Sequence, residues 1–146
     1  MQELRMRKLI QEAVADINSR NPGIENAISI ALNQGKIPLL VGSSGTGKSV
    51  LATRALGLPY ESGDKIIELY WEKKGQKLSS SDYFQPTENG TLLIDEIHCY
   101  QQGDELDHVL ALAISHDMKV VITSQNIGDV DPQILKNKRI VQINLH

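Results

Sequence analysis

The eight residues from Gly42 to Ser49, GSSGTGKS, constrain this chain more than any other stretch of it. They satisfy the pattern GxxxxGK[ST], in which glycines let the backbone curl so that successive N–H groups converge on one point. Such a loop needs a buried strand to deliver it and a helix to receive it, because the helix start adds unpaired donors and a positive dipole end. Both are supplied. Ile37 to Val41 is a short apolar run cut off by glycine, which reads as a buried strand, and Ser49 to Leu56 is helix-forming. The expected phosphate cradle is Gly42, Ser43, Ser44, Gly45, Thr46, Gly47, Lys48, Ser49 and Val50. Lys48 is expected to reach the β and γ phosphates of a nucleotide as a mobile cation, and the Ser49 hydroxyl to complete a Mg²⁺ shell.

Further along, TLLIDE places Asp95 and Glu96 at the carboxyl end of a hydrophobic strand, Thr91 to Ile94. Ligands of open parallel sheets sit beyond the carboxyl ends of strands, so this pair and the glycine loop can face one site. Asp95 is expected to hold Mg²⁺, and Glu96 to orient and polarise an attacking water, which points to hydrolysis. The plain alternative for Glu96 is a solvated carboxylate at a strand end. His98 and Cys99 lie close by, but no metal-ligand spacing surrounds them and they are assigned no chemistry.

The surrounding pattern alternates. Apolar runs at Lys119 to Thr123 and Ile140 to Leu145 read as further strands, separated by stretches able to form helices, and this alternation predicts an α/β fold with a parallel sheet. Met6, Leu9, Ile10, Ala13, Val14 and Ile17 share one helical stripe. A second helix carries Ile24, Ala27, Ile28, Ala31 and Leu32, with Asn21 and Pro22 as its cap and first turn and Gly35 at its end. Leu106, Val109, Leu110 and Ala113 predict another helix, with Asp104 as cap. Within residues 58–84, Ile66, Ile67, Leu69 and Tyr70 fit helix or strand about equally, and Ser79 to Asp82 reads as a loop.

At 146 residues and 40% hydrophobic, the chain is expected to form one domain over residues 1–146, with helices at 3–34 ahead of the first core strand. The longest apolar run, Val109 to Ile114, is far short of the roughly 20 residues needed to span a bilayer, and no secretory h-region opens the chain. Cys99 is the sole cysteine, which excludes an intrachain disulfide and a four-cysteine zinc site. A cytoplasmic location without membrane insertion is expected. The net charge of −3 gives no global field for DNA, so nucleic-acid contact would need a local patch or an assembly.

Taken together, LLVGSSGTGKS, ENGTLLIDEIH, VVITSQN and DPQILKNKRIVQI resemble the AAA+ ATPases, within the wider ASCE class of P-loop NTPases, over roughly residues 24–145. The resemblance implies a three-layer α/β/α core with a five-stranded, mostly parallel sheet, an extra strand falling between the two Walker motifs, and ATP with Mg²⁺ as cofactors. It implies an ATPase that remodels or moves a partner or a nucleic acid, working as a homo-oligomer or in a larger assembly. In VVITSQN it makes Gln125 and Asn126 candidates for reading the γ-phosphate and the attacking water, against an ordinary turn. It makes Arg139 the match for an arginine that reaches a neighbouring subunit's γ-phosphate, against a surface cation at a strand start.

Two departures from the family pattern are expected: a core without the helical lid that follows the fifth strand in that family, and the ending Ser124-Gln125-Asn126, which is similar to that of the DNA-pumping and packaging ATPases related to FtsK and HerA. Tyr70, Trp71, Lys73, Lys74 and Lys77 fit either a loop gripping single-stranded nucleic acid or a helix with aromatics in the core. The competing function classes are a small-molecule kinase, for which lid arginines are lacking, and a nucleotide-gated binding module that does not hydrolyse.

Overall fold

The structure, a computed structural model, describes residues 2–57, 86–99 and 102–146. In chain order the elements are α1 (Gln2–Arg20), α2 (Ile24–Asn33), β1 (Ile37–Val41), α3 (Lys48–Ala55), β2 (Thr91–Ile94), α4 (Asp104–Ser115), β3 (Lys119–Ser124), α5 (Pro132–Leu135) and β4 (Ile140–Asn144). The strands form one sheet in the order β2-β3-β1-β4, and every neighbouring pair is parallel.

The expected α/β fold is therefore present, with a correction to the strand count: among the described residues the sheet has four strands, not five. The interval assigned to the extra strand, with the aromatic and lysine cluster at Tyr70 to Lys77, lies outside the described residues. The strand order carries its own information. β3 is inserted between β1 and β2, so the strand ending in Asp95 is not the immediate neighbour of the strand that delivers the glycine loop.

Side chains alternate across the sheet as strand geometry requires. Leu39, Leu92, Ile94, Val120 and Ile122 pack on one face with Leu106, Val109, Leu110 and Ala113 of α4 and Ile134 of α5. Leu40, Leu93 and Val121 pack on the other with Ile17 of α1, Ile24, Ile28 and Leu32 of α2, and Leu51 and Ala52 of α3. Helices thus cover both faces, which is why the strands read as continuous apolar runs rather than as alternating ones.

Asp131 caps α5, its carboxylate accepting from the Gln133 N–H at 2.9 Å with Pro132 following. Gly35, at φ 71°, ends α2. The cap of α2 is Gly23 in a left-handed conformation, not Asn21, and α4 is preceded by Gly103 with Asp104 already helical.

Asn21 is instead buried as a latch. Its Nδ2 donates to the carbonyls of Ile17 and His146, both at 3.1 Å, while its Oδ1 accepts from the His146 N–H at 2.7 Å. A capping asparagine could not also make these long-range bonds. The stripe of α1 is only partly used: Val14 and Ile17 are buried, whereas Leu9 is 60% exposed. The buried part of the stripe lies in the carboxyl-terminal half of the helix, where Ile17 packs with α2 and α3. Among those residues no helix is long and apolar enough to cross a membrane.

Candidate functional site

The site begins where β1 ends. Gly42 donates its N–H to Ser124 O of β3 at 3.1 Å, which ties the loop's first residue to the neighbouring strand tip. A side chain at Gly42 would collide with Thr46 Oγ1 and press on the Leu145 backbone, so only glycine lets β4 close over the loop. Thr46 folds back through Oγ1 to donate to Ser43 O at 2.7 Å, and Gly47 caps α3 at φ 94°. Residue 47 must be glycine for a second reason: a Cβ there would overlap the side chain of Ile17. Helix α1 therefore sits directly against the phosphate loop.

Lys48 opens α3 and is buried, 4% exposed. Its Nζ donates to Gly42 O at 2.6 Å and Ser43 O at 3.2 Å and lies 3.9 Å from Glu96 Oε1. A buried cation held by carbonyls and one nearby carboxylate is short of anionic partners, and incoming phosphate oxygens would complete its shell.

Ser49, the next residue, donates its hydroxyl to both Asp95 oxygens at 3.0 and 2.9 Å. Asp95 lies just beyond β2 and is buried. Glu96 follows in a left-handed conformation, φ 55°, unusual for a residue with a side chain. That turn carries its carboxylate back toward the loop. Its Oε2 is buried without a hydrogen-bond partner, and the Nδ1 of His98 stands 3.5 Å away. The sequence reading gave His98 no role; the structure brings it to the rim beside Glu96.

A cleft of about 220 Å³ is lined by Ser44, Gly45, Gly47, Lys48, Ser49, Val50 and Glu96. The loop, the hydroxyl and both carboxylates expected from sequence therefore meet at one place. A hydroxyl and carboxylate oxygens are the hard donors that Mg²⁺ prefers, and the orphaned Oε2 of Glu96 faces the need for a donor such as a bound water. The residues present fit a magnesium-bound triphosphate.

Gln125 and Asn126 follow β3 directly and so stand at the same edge of the sheet as Gly42; both are exposed. Asn126 engages through its backbone, its carbonyl accepting from the Ser124 hydroxyl at 2.7 Å. Arg139 is not brought into the site. It precedes β4, at the end of the sheet opposite the loop, and its guanidinium donates to Gly35 O at 3.1 Å.

The sequence reading missed Thr123. Fully buried at the end of β3, it accepts the Glu96 N–H at 2.9 Å and donates to Asp95 Oδ1 at 2.6 Å. The signal in the sequence was a hydroxyl closing an otherwise apolar run, VVIT; the register that sets it beside Asp95 comes from the pairing of β2 with β3.

No protein-family model matches the chain, and no curated protein matches it. Among solved structures, PCH-2 of C. elegans aligns over 84% of this chain and 42% of its own, at 12% identity and a TM-score of 0.49. A chain of the HORMA:CdnC:Trip13 complex of E. coli MS115-1 aligns over 93% of this chain and 65% of its own, at 13% identity and 0.48. Trip13 from Rhizobiales aligns over 98% and 60%, at 10% identity and 0.35. The chain thus spans less than two thirds of the length of each of these structures.

Proposed function

We propose that this chain is a Mg²⁺-dependent ATPase that uses hydrolysis to remodel or move a partner or a nucleic acid, with residues 1–146 acting as one domain. The observation that carries the reading is that Lys48, Ser49 and Glu96 line one cleft with the glycine loop, while Asp95 stands behind Ser49, accepting its hydroxyl.

The division of labour follows from each group's chemistry. The loop amides and the start of α3 supply fixed donors and positive potential to the β and γ phosphates. Lys48 exchanges its carbonyl partners for phosphate oxygens, a move its proximity to both makes short. Ser49 and Asp95 are the residues that would hold Mg²⁺ through their oxygens, and the ion would supply charge neutralisation on the phosphates. Glu96 accepts a hydrogen bond from a water at its unpartnered oxygen and polarises it. The water oxygen then bonds to the γ phosphorus as the bond to the ADP oxygen breaks, and a water proton passes to the carboxylate. Gln125 and Asn126, at the same sheet edge, read the γ-phosphate. Arg139, at the far edge, serves the site of a neighbouring copy.

Phosphate release from ATP tests this, measured with Mg²⁺ or with EDTA, alone and with single-stranded or duplex DNA. Turnover that requires Mg²⁺ is expected. ATP binding without turnover under every condition would favour a nucleotide-gated binding module instead, and no binding would end the reading.

A further inference from the structure

We propose that Thr123 is a positioning residue for the catalytic carboxylates, holding Asp95 and Glu96 through one buried hydroxyl; this rests on the ATPase reading above. A hydroxyl has a single proton and two lone pairs. At Thr123 the proton goes to Asp95 Oδ1 at 2.6 Å, and a lone pair accepts the backbone N–H of Glu96 at 2.9 Å. No other described residue bonds to both of these neighbours.

The arrangement has a structural cause. β2 and β3 pair in parallel with Ile94 opposite Ile122, so the next residues, Asp95 and Thr123, leave the two strands side by side. Alternation sends both toward the face on which Leu93 and Val121 meet α3, the helix that carries Ser49. The hydroxyl of Ser49 approaches the same carboxylate from the helix side. Asp95 is thereby gripped from two elements, and its oxygens have one orientation to offer.

The second bond concerns Glu96. Non-glycine residues persist at positive φ only where their surroundings determine them. The bond from Glu96 N–H to Thr123 fixes the backbone at the point where φ is 55°, and the left-handed turn is what brings the carboxylate to 3.9 Å from Lys48 Nζ. Loss of the hydroxyl frees this turn and leaves a part-buried N–H without its acceptor. The nucleotide cradle lies on other residues, so the effect belongs to the chemical step and to the metal, not to ATP affinity.

The test compares Thr123→Val, which keeps the β-branched shape, with Thr123→Ser, which keeps the hydroxyl. In Thr123→Val we expect kcat to fall at least tenfold, the KM for ATP to change less than threefold, and the Mg²⁺ concentration that half-saturates binding of a fluorescent ATP analogue to rise severalfold. Thr123→Ser is expected within threefold of the parent on all three. Should Thr123→Val not fold, Thr123→Ala carries the same test. Failure of both to fold while Thr123→Ser turns over normally would assign the hydroxyl to folding alone and overturn the proposal.

A parent that turns over ATP while Thr123→Val retains its kcat and its Mg²⁺ dependence overturns the proposal and spares the ATPase reading. A parent that binds but does not hydrolyse overturns that reading, and the Mg²⁺ titration then still decides for or against Thr123. A parent that binds no nucleotide overturns both.

Discussion

The hydroxyl of Ser49 and the carboxylate of Asp95 are hydrogen-bonded across 46 residues of chain, with 3.0 and 2.9 Å to the two carboxylate oxygens. One residue belongs to the first turn of α3 and the other lies just beyond β2, a strand that is separated from β1 in the sheet by β3. Their contact fixes the distance between the phosphate loop and the acidic strand end. It also holds two hard oxygen donors converged in advance of a metal, which lowers the reorganisation needed when one binds.

Lys48→Ala is expected to weaken ATP binding tenfold or more. The side chain is the buried cation of the cleft, and its removal leaves the triphosphate without a charge-assisted partner, a loss of roughly 1.5–3 kcal/mol per bond, or tenfold to more than a hundredfold in affinity. Titration with a fluorescent ATP analogue measures it; affinity equal to the parent's would remove Lys48 from the cradle.

Glu96→Gln is expected to bind ATP as the parent does and to lose hydrolysis by about 10²–10⁴-fold, the range for a general base. Glutamine keeps the shape and the side-chain oxygen but cannot take the proton. Single-turnover phosphate release separates this from product inhibition. Normal hydrolysis by the variant would leave Glu96 as a solvated carboxylate.

Arg139→Ala is expected to leave the affinity of an isolated chain unchanged, since the guanidinium touches Gly35 O at the far end of the sheet and no part of the cleft. It should remove any rise of specific activity with protein concentration. A parental rate that does not depend on concentration would argue against a role in a neighbouring copy.

Gly47→Ala is expected to destabilise the fold by about 2 kcal/mol or more, because the position has φ 94° and a methyl group there meets Ile17. In an Ile17→Ala background the same substitution should cost about 1 kcal/mol less, the size usual for residues in contact. Urea unfolding of the four-member cycle gives the coupling. Additive costs would show that α1 is not seated on the loop.

Much of the site could be read from the chain because its parts are local. A glycine loop between strand and helix, and an acidic pair closing an apolar run, each announce their geometry within ten residues. The long-range partners could not be read in this way. Thr123 meets Asp95 through the β2–β3 register, which depends on β3 lying between β1 and β2, and a single sequence does not state strand order. Asn21 misled for the same reason. Beside Pro22 it has the look of a helix cap, yet its three hydrogen bonds include two to His146, and the cap falls to Gly23. Gly47 was legible as a loop residue but not as a seat for Ile17, since packing between α1 and the loop has no signature in spacing.

The position of β1 in the sheet has a kinetic consequence. Both of its neighbours, β3 and β4, come from the last third of the chain, so a ribosome-bound chain has β1 and its glycine loop in hand long before either flank is synthesised. Parallel pairing at such separation carries a large loop-closure entropy and slows folding relative to helical chains of similar size. A partly made chain therefore lacks the flanks that hold the glycine loop in shape, and the loop takes its final form together with the closing of the sheet.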